Sequence, residues 1–348
     1  MDSFKPKYII TNRLLENIKH INNLVNELNN RRFPNVILVE LERSAGEVSS
    51  YASTSIEGNP LPLTEVKKIL KSKPSNIRNS EREVLNYNQA LENLNRKNKQ
   101  GKTRLSVDLI LKIQKQVTNG LLPKFESGRF RQKPVVVNDP RTGQTIYLPP
   151  EFSQVKSLTT SLVDFVNNNR GVIDPLILAG IFHKQMVIIH PFMDGNGRAT
   201  RLATKVLLTE MGLDTFNLFS FENYYNQNVT NYFQTVGEYG NYYEIAEKID
   251  FTLWLEYFTE GIIDELLRVQ KMLPQTATSP ESELKQHHLE VLKFIKNKGY
   301  VADRDYAKFS KRAKATRTID FDKLIKLGFI ERKGKGKATY YTLIENDT

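Results

Sequence analysis

A chain of 348 residues is long enough for more than one domain, since single cores seldom grow beyond about 250 residues. Its 39% hydrophobic and 26% charged content describes an ordinary folded protein, and the lack of cysteine excludes disulfides, thiolate zinc sites and a cysteine nucleophile. A net charge of +11 favours polyanionic partners, while the absence of a leader-like start or long apolar run makes the cytoplasm the expected compartment, with no membrane association.

Most of the chain reads as helix. Near residue 57 a helical segment meets Gly58 and Pro60, which stop it directly after Glu57. That leaves an anionic side chain at the negative end of a helix dipole, unfavourable by roughly 0.3–1 kcal/mol unless a cation pairs with it. The Asn- and Lys-rich tract from Leu94 to Lys102 reads as solvated helix end and loop. Val135 to Val137 and Thr145 to Leu148 are short extended runs around the turn residues Asp139 to Gly143, so a hairpin is predicted there.

Leu178, Phe182, Met186 and Ile189 recur at helical spacing among apolar neighbours, as in a helix buried on most sides. A second helix follows at once, with Ala199, Leu202, Ala203, Val206 and Leu207 on one stripe and Gly212 placed to stop it. Around 273–282, two prolines and small polar residues without periodicity predict a linker. Beyond it come helices over about 284–298, 303–309 and 313–327, then two short strands around a Gly-Lys-Gly-Lys turn, the order of a winged helix. Residues 311–337 hold ten basic residues against three acidic ones, a net +7 that falls on the third helix and the wing and points to duplex DNA. His287 and His288 are expected at the surface of that module, without metal; His183, in the apolar helix, is expected to be a satisfied buried histidine.

Chemistry concentrates between the two central helices, from His190 to Arg201. Gly195, Asn196 and Gly197 open the second helix, where free backbone N–H groups and the positive dipole end favour phosphate, and glycines permit its close approach. Asp194 beside them is a hard oxygen ligand suited to Mg²⁺ on phosphates. Arg198 and Arg201 are three apart on one helix face and able to grip a polyphosphate. Pro191 turns the chain out of the first helix directly after His190, so the histidine faces the loop as a general base must. Phe192 reads as the plug that fixes the loop in the core.

The string His190-Pro-Phe-Met-Asp-Gly-Asn-Gly-Arg-Ala-Thr-Arg201 resembles the signature of the Fic family at every fixed position. Gly128 to Arg131 resembles the family's lead into its target-docking flap, and Ser53 to Gly58 its inhibitory Ser/Thr-x-x-x-Glu-Gly motif. The resemblance implies a mainly α fold: an N-terminal helical region over 1–105 with the inhibitory helix, a Fic helical core with a β-hairpin flap over 106–272, and a winged helix-turn-helix domain over 283–348. It implies transfer of AMP from ATP, with Mg²⁺, to Ser, Thr or Tyr hydroxyls of a protein target, which includes the chain itself as a candidate. His190 would then be the base, Asp194 the metal ligand, Gly195 to Gly197 the phosphate nest and Arg198 a phosphate ligand. Arg201 would bind the γ-phosphate in competition with Glu57, which Ser53 accompanies, and Val135, Val136, Val137 and Asn138 would align the target by strand addition. Family members often carry a Tyr-Tyr pair near the adenine; here the chain has Tyr232 followed by Phe233, with Tyr242 and Tyr243 further on, and Tyr232 is the candidate. A homodimer is a further expectation. Alternatives are phosphate transfer, as in the Doc branch, which departs from Gly-Asn-Gly at the position kept here as Gly197, and an ATP-sensing transcriptional regulator.

Overall fold

The structure is a computed structural model that describes residues 4–31, 33, 35–98, 101, 103–138, 142–273 and 284–344. The hairpin turn at 139–141 and the linker over 274–282 lie outside the described residues, as do parts of the tract around residue 100. The chain divides into two compact units, one of residues 1–29 and 43–272, the other of 30–42 and 273–348. Among the described residues no helix is long and apolar enough to cross a membrane.

The first unit is almost wholly helical. Helices α1 (Asn12–Asn29) and α12 (Thr252–Met272) lie along each other, and α2 (Asn35–Ile56), α3 (Leu63–Lys71), α4 (Asn79–Asn98) and α5 (Val107–Val117) precede the centre; of α2, residues 43 onward belong to this unit. That centre is α7 (Pro175–Ile189), started by Pro175 and by Asp174, whose carboxylate accepts the Leu176 N–H at 2.8 Å. Thirteen of its fifteen residues are buried, so it is the hub on which α6 (Phe152–Asn168), α8 (Asn196–Thr209) and α12 pack. Trp254 Nε1 donates to the Gly180 carbonyl at 2.8 Å, and His183 is fully buried with both ring nitrogens engaged, Nε2 with Tyr232 Oη and Nδ1 with Thr204 Oγ1. Two short helices, α9 (Phe221–Gln227) and α10 (Val229–Val236), set Phe221, Tyr225 and Tyr232 against His183 of α7, and a third, α11 (Tyr242–Ile245), packs on β3.

A three-stranded sheet edges this bundle: β1 (Val137–Asn138) is antiparallel to β2 (Thr145–Leu148), which runs parallel to β3 (Gly240–Asn241). The first strand is shorter than the apolar run suggests. Val135 and Val136 lie outside it, because Val137 already faces Tyr147 and the residues after Leu148 are two prolines that cannot extend a ladder.

In the second unit α13 (Gln286–Lys298), α14 (Asp303–Phe309) and α15 (Lys314–Lys326) are followed by the antiparallel hairpin of β4 (Ile330–Lys333) and β5 (Tyr340–Leu343). Gly299 ends α13 at φ 81°, and Val291, Ile295, Val301, Tyr306, Phe321, Leu324 and Ile330 make its core. Two expectations change here. His288 is buried, and the Nε2 atoms of His287 and His288 stand 3.3 and 3.4 Å from Asp320 Oδ1, so the pair faces inward rather than outward. The three groups offer ligand atoms within 4.8 Å of one another, yet Asp320 already accepts from Arg312 Nε at 2.7 Å and Tyr306 Oη at 2.9 Å. Arg312 is thereby used internally, and Arg317 likewise, in a two-pronged pair with Asp303 at 2.8 and 3.0 Å, so part of the +7 stretch neutralises acids inside the unit.

Candidate functional site

His190 caps α7 in the left-handed region, at φ 48°. For a residue with a Cβ this conformation is held only by surrounding contacts, at a cost of order 1–3 kcal/mol. The contacts are visible. Arg131, 2% exposed, donates through Nε to the His190 carbonyl at 2.9 Å and through its other nitrogens to the carbonyls of Lys133 and Pro150. Its own N–H donates to the Pro191 carbonyl at 3.0 Å. One side chain therefore ties the turn after α7 to both ends of the hairpin. Phe192 is fully buried and stacks on Phe130, with centroids 6.1 Å apart.

The loop is closed from within by Asn196, whose amide accepts the Phe192 N–H and donates to the Phe192 carbonyl, both at 2.9 Å. The Asn196 side chain is thus a clamp, and any contact with phosphate falls to the backbone. Gly195 takes φ 78°, where a side chain is strained and a Cβ would press on Thr118. At Gly197 a Cβ would overlap Glu57 Oε1 and crowd Arg201. The first turn of α8 is therefore open to an anion, and a carboxylate oxygen of Glu57 lies against it.

Glu57 follows the last residue of α2, and Gly58 then turns the chain at φ 88°. Its carboxylate accepts from Arg201 Nη2 at 2.7 Å; Arg201 Nη2 also reaches the Ser53 carbonyl at 2.8 Å and Nε the Ser53 hydroxyl at 2.9 Å. One turn earlier, Ser49 Oγ accepts from Lys205 Nζ at 3.0 Å. Residues 49 and 53 on α2 and residue 57 just past its end thus face 201 and 205 on α8, both sets at four-residue spacing. Burial lowers the proton affinity of the Arg201 guanidinium, but Glu57, with Tyr232 and Tyr87, outweighs it and the net direction is up.

Asp194 is half exposed at the rim and receives Arg198 Nη2 on both oxygens at 2.9 Å, as well as the Gly195 N–H. Arg198 is 2% exposed, and its Nε and Nη1 are buried without a hydrogen-bond partner, as is Nη1 of Arg201. Donors buried in this state fit a missing polyanion. One carboxylate next to such donors also suits Mg²⁺, which takes one or two carboxylates together with phosphate oxygens.

A cleft of about 450 Å³ is walled by His190, Gly197, Arg201 and Glu57 on one side and by Val137, Asn138, Ile146 and Tyr147 of the hairpin on the other; Asp194 and Arg198 are not among its walls. Burial pushes the His190 imidazole down to about 4; the Val187 backbone, Glu57 and Asp194 oppose this and Arg131 adds to it, so the ring is neutral at pH 7. Nδ1 of His190 is buried without a hydrogen bond. Tyr232 lines the cleft, with its ring stacked on Tyr225 at 4.5 Å, and Phe233 lines it too, together with Val229 and Val236, which pattern reading passed over. Tyr242 and Tyr243 are not among the cleft's walls. The Tyr243 hydroxyl accepts from the Glu151 N–H at 3.0 Å and donates to Gln154, bracing the chain after β2.

Residues 104–208 match the Fic/DOC family model. A protein adenylyltransferase Fic of Nematostella vectensis is 30% identical over 166 residues, 47% of this chain and 37% of the relative; one of Caenorhabditis elegans is 32% identical over 167 residues, 47% of this chain and 31% of the relative. The matched segments span about a third of the length of these curated relatives. In solved structures, a Fic family protein of Desulfovibrio desulfuricans superposes with a TM-score of 0.63 at 19% identity, covering 99% of this chain and all of that one. Fic-1 of C. elegans gives 0.58 at 24% identity over 74% of this chain and 72% of its own. The fold is the mainly helical Fic fold, and the segment that carries His190 to Arg201 is a Fic/DOC family domain.

Proposed function

We propose that the protein transfers AMP from ATP to a hydroxyl of a protein target and is held back by Glu57. What carries the reading is the convergence, in one cleft, of a neutral His190, the open first turn of α8, Arg201 and the hairpin edge. The target hydroxyl oxygen attacks the α-phosphorus, the bond to the β-phosphate oxygen breaks, and pyrophosphate leaves. His190 accepts the hydroxyl proton. Arg198 and Arg201 take phosphate oxygens, Asp194 would hold Mg²⁺, and β1 pairs with an extended target segment. Bound Mg²⁺ supplies charge neutralisation of the phosphates. Glu57, paired with Arg201, would compete with the γ-phosphate for that arginine, so that ATP would settle with its α-phosphorus out of line. Incubation with α-labelled ATP and Mg²⁺, followed by mass spectrometry, tests the reading: adenylylated Ser, Thr or Tyr supports it, and phosphorylated residues would turn it into the Doc-like reaction.

For residues 284–344 we infer a winged helix that meets duplex DNA through Lys311, Lys314 and Lys335, which are exposed around the start of α15 and on the hairpin.

A further inference from the structure

Arg198 and Arg201 lie one turn apart on α8, and each faces a carboxylate from the helices ahead of the Fic/DOC segment. For Arg201 it is Glu57. For Arg198 it is Glu83 on α4, whose Oε1 stands 3.4 Å from Nη1. The other oxygen of Glu83 accepts from Asn59 Nδ2 at 2.7 Å. Asn59 follows Glu57 by two residues, and it is anchored twice more, by donation to the Ser80 carbonyl at 2.8 Å and by acceptance of the Leu61 N–H at 3.1 Å. A single carboxylate therefore spans the turn that presents Glu57 and the first arginine of the motif.

The geometry of that span is informative. Glu83 is close enough to Arg198 for Coulombic attraction, yet Nη1 makes no hydrogen bond to it and, with Nε, stays uncommitted in a buried place. With Asp194 already paired to Nη2, Glu83 adds a second negative charge beside the arginine without hydrogen-bonding its remaining donors. Its charge also repels any polyanion that approaches them.

We propose that Glu83 is a positioning residue that weakens polyphosphate binding at Arg198 and fastens the Glu57 turn through Asn59, so that filling the arginines and releasing Glu57 are linked. This rests on the reading of the cleft as a nucleotide site.

Glu83→Gln removes the charge while the amide oxygen can still accept from Asn59, which separates electrostatics from folding. In the full-length protein, calorimetric titration should show Mg-ATP and Mg-tripolyphosphate binding about three- to tenfold more tightly to Glu83→Gln than to wild type, the scale of a partly exposed ion pair. Glu83→Asp, with the carboxylate one methylene further back, should shift the same way by less, and covers the case in which the amide variant fails to fold. In a Glu57→Gly background, Glu83→Gln should lower the KM for ATP with kcat within twofold. Unchanged or weaker binding by both Glu83 variants, while Glu57→Gly still raises labelling, would overturn the role of Glu83 and leave the site reading intact. Failure of wild type and Glu57→Gly alike to bind Mg-ATP would overturn both.

Discussion

At the scale of single residues, the pair of Glu57 and Arg201 makes the sharpest test. Glu57→Gly frees Arg201 and should raise labelling from α-labelled ATP at least about tenfold, a gain of roughly 1.4 kcal/mol in transition-state stabilisation. Adding Arg201→Ala should forfeit most of it, because groups in contact act non-additively; equal rates for wild type and Glu57→Gly would reduce the contact to an architectural ion pair. His190→Ala should abolish transfer while Mg-ATP still binds in calorimetry, since the base acts on the incoming hydroxyl. The pH profile follows from burial. A ring pushed down to about 4 is protonated in the folded protein only well below the usual 6.5, so the acid limb of kcat/KM should fall near pH 4. In Glu57→Gly it should fall lower, because Glu57 raises the value. The sign for stability runs the same way: between pH 6.5 and about 4 the unfolded chain binds the proton and the folded chain does not, so stability is lost as the pH drops through that window. Buried His183, also lowered, adds to the loss.

At the scale of elements, Arg131 joins the turn after α7 to the hairpin. Arg131→Ala should cost about 3 kcal/mol, because it strips buried carbonyls of a charged donor, and should lower the melting temperature by several degrees in a thermal melt. A melt unchanged within a degree would mean that the hairpin holds itself. Much of this site was legible in advance for a simple reason: His190 to Arg201 is contiguous, and helix periodicity with Pro191 and the glycines dictates where each side chain goes. Ser53 and Glu57 were picked out by resemblance to the family's inhibitory motif, and the stop at Gly58 marked the Glu57 carboxylate as one in want of a cation. Glu83, Asn59, Ser49 and Lys205 were not, since their partners lie up to 156 residues away and no local pattern marks them. Counting charges within 311–337 likewise overstated the free charge near the C-terminus, because Asp303, outside that stretch, takes up Arg317 once the unit is folded, whereas Asp320, which holds Arg312, was already counted.

At the scale of the molecule, the second unit carries its own test. If exposed Lys314 and Lys335 meet phosphates, their joint replacement by Glu in the full chain should weaken duplex DNA binding and flatten the plot of log K against log salt by about 1.8, roughly 0.9 for each phosphate no longer neutralised. Arg312→Ala should instead destabilise the fold around Asp320, leaving the buried carboxylate without its guanidinium. No binding by wild type at low salt would favour a protein partner for this surface.

The face that α2 lays on the rest of the first unit is unusual in its chemistry: the fully enclosed residues include Ser49, Ser50, Ser53 and Thr54, with Ala45, Ala52 and Ile56 as the apolar share. A helix whose enclosed face carries hydroxyls rather than oil exposes little apolar surface of its own when it lifts. Its departure should leave the protein no more prone to aggregate and should contribute little to the heat capacity, since newly wetted apolar and polar area act in opposite directions. Calorimetry across a range of temperatures would then find nearly the same heat-capacity change for Mg-ATP binding to wild type and to Glu57→Gly. If Glu57 holds transfer back as proposed, an element built in this way can be worked repeatedly, as a latch and not as a fuse.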